Sequence, residues 1–390
     1  MRRRAISARP VVFLFNGGPG SSSQWLHLGG LGPRRVRPAT DLRSGSLPPY
    51  ETEESPATLL ATTDLVFIDP LSTGLSRAAN ADTQAHAYSI TADAKQFARV
   101  IHTWCAREGH IDSAKYVLGE SYGTVRAGCL ARELLHGPSP IALNGIILLS
   151  QAVNLQETAQ RSGNITSRVA ALPFIATVAW YHGVASAGHD TAERATRAAL
   201  DYTYGDYASV LFRGSLATAS EADDAATRLQ GITRIPAETW GRNRLQNTKG
   251  DFRRLVLRDR NQVIGTMDAR YLAVAEDRAT SERDIDPTHA RIVPAYVAAT
   301  ERYLTEHLGI ATGDGYRSFN QRAFPQWWWR DESAPMGGYG SGNPTGPSQA
   351  IPVSVTQSTS HVTPASQLTL PCGPYRAPPD PFRPATRDSA

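Results

Sequence analysis

Four short apolar runs constrain this chain most: Val11–Phe15, Asp64–Ile68, Tyr116–Leu118 and Ile146–Leu149, each bounded by Gly, Pro or Asn. Runs this short and this apolar read as strands buried on both faces. Between them the apolar residues fall at helical spacing, as in Ala92–Ala106 and Val125–Leu135. Strands alternating with helices predict an α/β fold with a mostly parallel sheet covered on both faces. Beyond the fourth run the spacing becomes mostly helical. This divides the chain into a core over 1–155, a helical cap or insertion over 156–308, a return to the core over 309–330 and a low-complexity tail over 331–390.

That tail is about half Pro, Gly, Ser and Thr, well above ordinary usage. Two readings stay open for it, a disordered tail and a stretch translated out of its proper frame. At the other end, Met1–Arg4 is basic, but Val11–Phe15 is too short for the apolar part of a signal peptide and leads into a Gly-rich turn. A chain that opens on a central-looking strand is expected to lack strands upstream.

Composition closes off other classes. At 41% hydrophobic and 19% charged the chain can bury a core. No apolar stretch reaches the roughly eighteen residues of a membrane span. Of the 40 basic residues only Lys95, Lys115 and Lys249 are lysines, and the arginines form no clustered run, so no nucleic-acid partner is expected. Cys105, Cys129 and Cys372 have no metal-ligand spacing, and no metal or cofactor is indicated. Cys105 and Cys129 fall in helical patterns and are expected to be small buried hydrophobes.

Chemistry is concentrated in two units. Val117-Leu118-Gly119-Glu120-Ser121-Tyr122-Gly123 runs from a strand into a helix, with Gly-x-Ser-x-Gly at the junction. A serine on so sharp a turn needs small neighbours and presents its Oγ above the sheet at a helix N-terminus, where developing negative charge is favoured. The second unit, Phe15-Asn16-Gly17-Gly18-Pro19-Gly20-Ser21-Ser22-Ser23, follows the first strand. It lacks the Lys-Ser/Thr ending of a P-loop and the spacing of a dinucleotide fingerprint. An amide from it can join the amide of Tyr122 in an oxyanion hole.

These two blocks, with Gly29–Pro33, Asp69-Pro70-Leu71-Ser72-Thr73-Gly74-Leu75-Ser76, Tyr204-Gly205-Asp206-Tyr207 and Met267-Asp268-Ala269-Arg270, resemble the signature blocks of the serine carboxypeptidase family, most of all its bacterial branch. The likeness runs from about Ala8 to Trp329. It implies an α/β-hydrolase fold and the removal of residues from peptide C-termini through an acyl-enzyme. Carried over, Ser121 is the nucleophile and the amides of Gly18 and Tyr122 form the oxyanion hole. Asn16, Gly17 and Glu120 hold the carboxylate of a peptide substrate, with Glu120 protonated and acid pH therefore favoured. Relatives are typically exported.

Three departures shape the expectation. Gly30 stands where family members often carry a second Glu. The family's first strands, expected before Arg9, are absent. The blocks that supply the catalytic Asp and His are not found after Arg330, so the C-terminal part of the sheet is expected to be incomplete. Asp331 and His361 have the right order but no strand-and-loop context. His102, His182 and His289 are expected to be surface or structural, as are Asp64 and Asp69 beside the second strand. The Trp327-Trp328-Trp329 run is expected to anchor a core edge. Loss of the triad histidine costs about a million-fold in turnover, so poor activity is expected. An esterase or acyltransferase of the same fold and a non-catalytic peptide binder remain the alternatives.

Overall fold

The computed structural model describes residues 9–39, 42, 47–80, 87–161, 163–185, 188–275, 286–313, 315–327, 329, 355–357 and 362–363. The chain forms two compact units, one of Met1–Arg35, Glu53–Asn154 and Thr300–Ala390, the other of Val36–Thr52 and Leu155–Ala299.

In the first unit the four apolar runs become strands β1 (Val11–Phe15), β2 (Asp64–Phe67), β3 (Lys115–Glu120) and β4 (Gly145–Leu149). β1 pairs in parallel with β2 on one side and β3 on the other, and β3 pairs in parallel with β4. Every residue of β1 is buried because its two faces serve two apolar layers. Val11, Phe13 and Phe15 pack with Phe97, Ile101, Val117, Ala127 and Leu130, whereas Val12 and Leu14 pack with Leu26 and Leu118. This period of two inside a continuous apolar run is what a strand covered on both faces requires.

Two helices cover the first of those faces. Helix α1 (Ile90–Glu108) starts at Ser89, whose hydroxyl accepts from the Ala92 amide, and stops at Gly109 with φ 80°. Helix α2 (Tyr122–His136) follows β3 directly. Both run a few residues beyond the apolar periodicity, and in α1 the end turns are fixed by these caps. Cys105 is buried and free, and Cys129 is buried and disulfide-bonded, so the expected burial holds for both.

Among the described residues the sheet has six strands. β5 (Val355–Gln357) pairs in parallel with β4, and β6 (Val362–Thr363) pairs antiparallel with β5. These strands come from 331–390, where no strand period is legible in the sequence. Segments of three and two residues are too short to display one. The rest of that expected tail, with Asp331 and His361, lies outside the described residues, as do Trp328 and the basic Met1–Arg4.

The second unit is mainly helical. Thr166–Tyr181, Ala192–Tyr202 and Ala219–Thr233 enclose a core that includes Leu172, Ile175, Tyr207, Leu211, Leu229 and Trp240. Tyr207 donates to the Leu245 carbonyl at 2.8 Å, so the Tyr204–Tyr207 block anchors this core. Asp268 and Arg270 form a fork of hydrogen bonds at 2.6–3.1 Å that closes the Met267–Arg270 turn on itself. Among the described residues no helix is long and apolar enough to cross a membrane.

Candidate active site

Parallel pairing in register sets the C-terminal ends of β1 and β3 side by side, with Phe15 opposite Gly119. The segments that leave those ends, Asn16–Gly20 and Ser121–Gly123, are therefore forced together. At the second of them Ser121 takes φ 56°, ψ −124°, outside both the helical and strand regions. A non-glycine residue held there costs roughly 1–3 kcal/mol and persists only when its surroundings over-determine it. They do so through hydrogen bonds. The Ser121 amide donates to the Leu149 carbonyl at 3.0 Å, and its carbonyl accepts from the Thr124 amide at 2.9 Å and the Thr124 hydroxyl at 2.7 Å. Ser121 itself is half-buried, between a buried Tyr122 and a half-buried Glu120.

Small residues flank the serine because larger ones do not fit. A Cβ on Gly119 would lie 2.1 Å from the Gly123 carbonyl oxygen, and one on Gly17 would lie 2.4 Å from the Tyr122 amide nitrogen. The second contact places the Gly-rich segment directly against the first amide of α2.

Glu120 faces the same segment. The Asn16 side chain donates to its carboxyl at 3.1 Å, and the Leu26 amide donates to Asn16 Oδ1 at 3.2 Å. Burial pushes the Glu120 carboxyl above the usual carboxylate range, against the opposing hydrogen bonds from Asn16 and the Gly17 amide. Asn16, Gly17, Glu120, Ser121 and Tyr122 are thus brought together around one point, with Gly18 following on the same turn.

Asp69 holds the far end of that turn. Its carboxylate accepts from the Ser23 amide at 2.8 Å, the Ser23 hydroxyl at 2.7 Å and the Tyr316 hydroxyl at 2.9 Å. Asp64 instead pairs with Arg9 at 2.9 Å and His110 at 3.4 Å. Gly30 adopts φ 141°, and the Ser55 hydroxyl donates to its carbonyl.

Among the described residues no side chain hydrogen-bonds to Ser121 Oγ, and no group of three or more His, Cys, Asp or Glu could hold a metal ion. His102 lies in α1, and His289 lies in the helix Pro287–Arg302. The His182 ring bonds to the Ala269 carbonyl at 2.9 Å, with burial lowering its pKa. Trp327 is buried with its ring edge-on to Tyr122, 5.3 Å between centroids, and Trp329 approaches the same tyrosine at 5.8 Å.

Two residues that sequence reasoning did not single out, Asp93 and Arg126, are buried directly beneath this cluster. Their signal was present in the pattern. Arg126 interrupts the apolar face of α2 one turn after Tyr122, and Asp93 interrupts that of α1 beside Ala94 and Phe97.

Among solved structures the chain is similar to Kex1(delta)p, a prohormone-processing carboxypeptidase from Saccharomyces cerevisiae, at 15% identity and TM-score 0.46, covering 82% of this chain and 60% of that one. It is also similar to the peroxisomal alpha-beta-hydrolase Lpx1 of the same organism, at 14% identity and TM-score 0.23, covering 52% of each chain. The chain thus spans less than two thirds of either structure. No curated protein matches it. The sequence profile of serine carboxypeptidases matches residues 2–285, which include strands β1–β4, the strained serine and the Gly-rich turn described above. On that match, over well more than half its length, the chain belongs to the serine carboxypeptidase family and has the α/β-hydrolase fold.

Proposed function

We propose that this chain carries a serine carboxypeptidase site in which Ser121 attacks the last peptide bond of a substrate. The observation that supports this most is the backbone of Ser121, φ 56° and ψ −124°, with Gly17 packed against the Tyr122 amide. Attack by Oγ on the carbonyl carbon turns the carbonyl oxygen into an oxyanion, which the amides of Gly18 and Tyr122 receive. Collapse of that intermediate breaks the C–N bond and releases the C-terminal residue, and water then frees the acyl group.

Asn16, the Gly17 amide and Glu120 receive the substrate carboxylate. Two negative charges would repel there, so Glu120 acts as a protonated donor, in keeping with the direction in which burial moves its pKa. Full turnover also requires a base at Ser121 Oγ.

Purified protein incubated with an N-blocked dipeptide tests this reading. Release of the C-terminal amino acid, lost in Ser121→Ala, is the expected outcome. Labelling of Ser121 by a fluorophosphonate reports whether an effective base is present. Turnover unaffected by Ser121→Ala, or absence of both labelling and turnover, would refute the reading. Hydrolysis of the matching ester with the peptide untouched favours the esterase alternative, in keeping with a glycine at position 30.

A further inference from the structure

Arg126 and Asp93 form a charged pair with almost no exposure. Arg126 Nε donates to Asp93 Oδ2 at 2.7 Å, and its Nη1 donates to the main-chain carbonyl of Asn16 at 2.6 Å. The guanidinium lies 4.4 Å from the ring centroid of Phe97, 5.3 Å from that of Tyr122 and 5.4 Å from that of Phe15. Those aromatic faces supply attraction that water would otherwise provide to the cation. Asp93 Oδ2 also accepts from the Tyr122 hydroxyl at 3.3 Å. One buried pair therefore touches both of the segments that meet at the serine.

The geometry has a direct consequence for the amides. The Asn16 carbonyl and the Gly17 N–H belong to one planar peptide and point in opposite directions. Fixing the carbonyl on Arg126 therefore aims the Gly17 N–H the other way, toward Glu120, whose pKa it draws down against burial. On the other segment, Tyr122 and Arg126 are four residues apart on α2 and share a face. The Tyr122 side chain is tied to Asp93 while its own N–H begins the helix. A planar fork presents two separate nitrogens in fixed geometry, one to the carboxylate and one to the carbonyl, whereas a lysine offers a single nitrogen on a flexible stem.

We infer that Asp93 and Arg126 are positioning residues that lock the Asn16–Gly18 turn and the Tyr122 amide in register, so that the oxyanion and carboxylate donors converge. This inference rests on the roles assigned above to Ser121, Gly18 and Tyr122. The pair does not touch substrate and acts through Asn16 and Tyr122.

Hydrogen–deuterium exchange of the full chain, read by mass spectrometry, tests it without any need for turnover. The double variant Asp93→Asn with Arg126→Met removes both charges together, so no lone charge stays buried. Arg126→Lys keeps the cation against Asp93 but lacks the second arm, and it decides the matter if the double variant does not fold. In a folded variant, peptides that carry Gly17, Gly18 and Tyr122 are expected to exchange about tenfold faster, with β4 and the rest of α1 unchanged. With an N-blocked ester that has no free carboxylate, kcat is expected to fall about tenfold, less than the roughly hundredfold or more that follows outright removal of an oxyanion donor. Unchanged exchange at those peptides overturns the inference, and so does a uniform rise over the whole first unit, which marks a merely structural pair. Absent labelling and turnover in the unsubstituted protein instead counts against the functional reading, so the two failures are told apart.

Discussion

At Glu120 two opposing influences act on a single carboxyl. Burial raises its pKa, and the donors Asn16 and Gly17 lower it, with burial the larger. The protonated form is therefore favoured in the folded protein over a pH interval that begins at the ordinary carboxylate value. Two results follow. Stability contributed by the folded, protonated carboxyl is complete below its unfolded pKa and is lost as pH rises through the folded one. Urea denaturation at several pH values should show that loss in the parent and not in Glu120→Gln. If the proposed carboxylate site is correct, KM for a dipeptide acid rises about tenfold per pH unit above the Glu120 pKa. Glu120→Gln, which stays neutral, should flatten that profile. At Gly17 the issue is space rather than charge. A methyl group 2.4 Å from the Tyr122 nitrogen must displace backbone, so Gly17→Ala is expected to cost about 1–3 kcal/mol and to reduce Ser121 labelling. Denaturation midpoints and labelling rates measure the two effects.

Among the elements, β1 and α1 were the most legible. The five-residue apolar run that forms β1 could belong only to a buried segment, and α1 carries Ala94, Phe97, Ile101 and Cys105 on one stripe. Ser89 caps that helix by accepting from the Ala92 amide at 3.1 Å. Ser89→Ala is expected to destabilise the protein by about 1 kcal/mol without altering its m-value, as measured by urea denaturation. The short strands β5 and β6 were not legible, because a ladder of two or three residues depends on its partner's position rather than on its own alternation. The elbow between β3 and α2 stands between these extremes. Gly119-x-Ser121-x-Gly123 marks the turn, and only the contacts of Gly119 and Gly17 reveal how little room there is around it.

At the scale of the whole molecule, the apolar cores of the two units are built from different residues. Ile101 is fully buried in the core of the first unit and Leu229 in that of the second. Ile101→Ala and Leu229→Ala should each cost about 2–5 kcal/mol. Because they share no apolar cluster, their effects on exchange protection should each stay within one unit. Their combined cost should equal the sum of the singles within about 0.5 kcal/mol. The strand-and-helix alternation, the place of the sharp turn and the Gly-rich segment needed near it are each written in consecutive residues and can be read without the fold. Tertiary structure alone decided that Asn16 meets Glu120 across 104 positions and that Arg126 bridges Asp93 to the Asn16 carbonyl. Those contacts depend on the parallel register of β1 with β3 and on the packing of α1 beside α2, and no periodicity within a single segment encodes either.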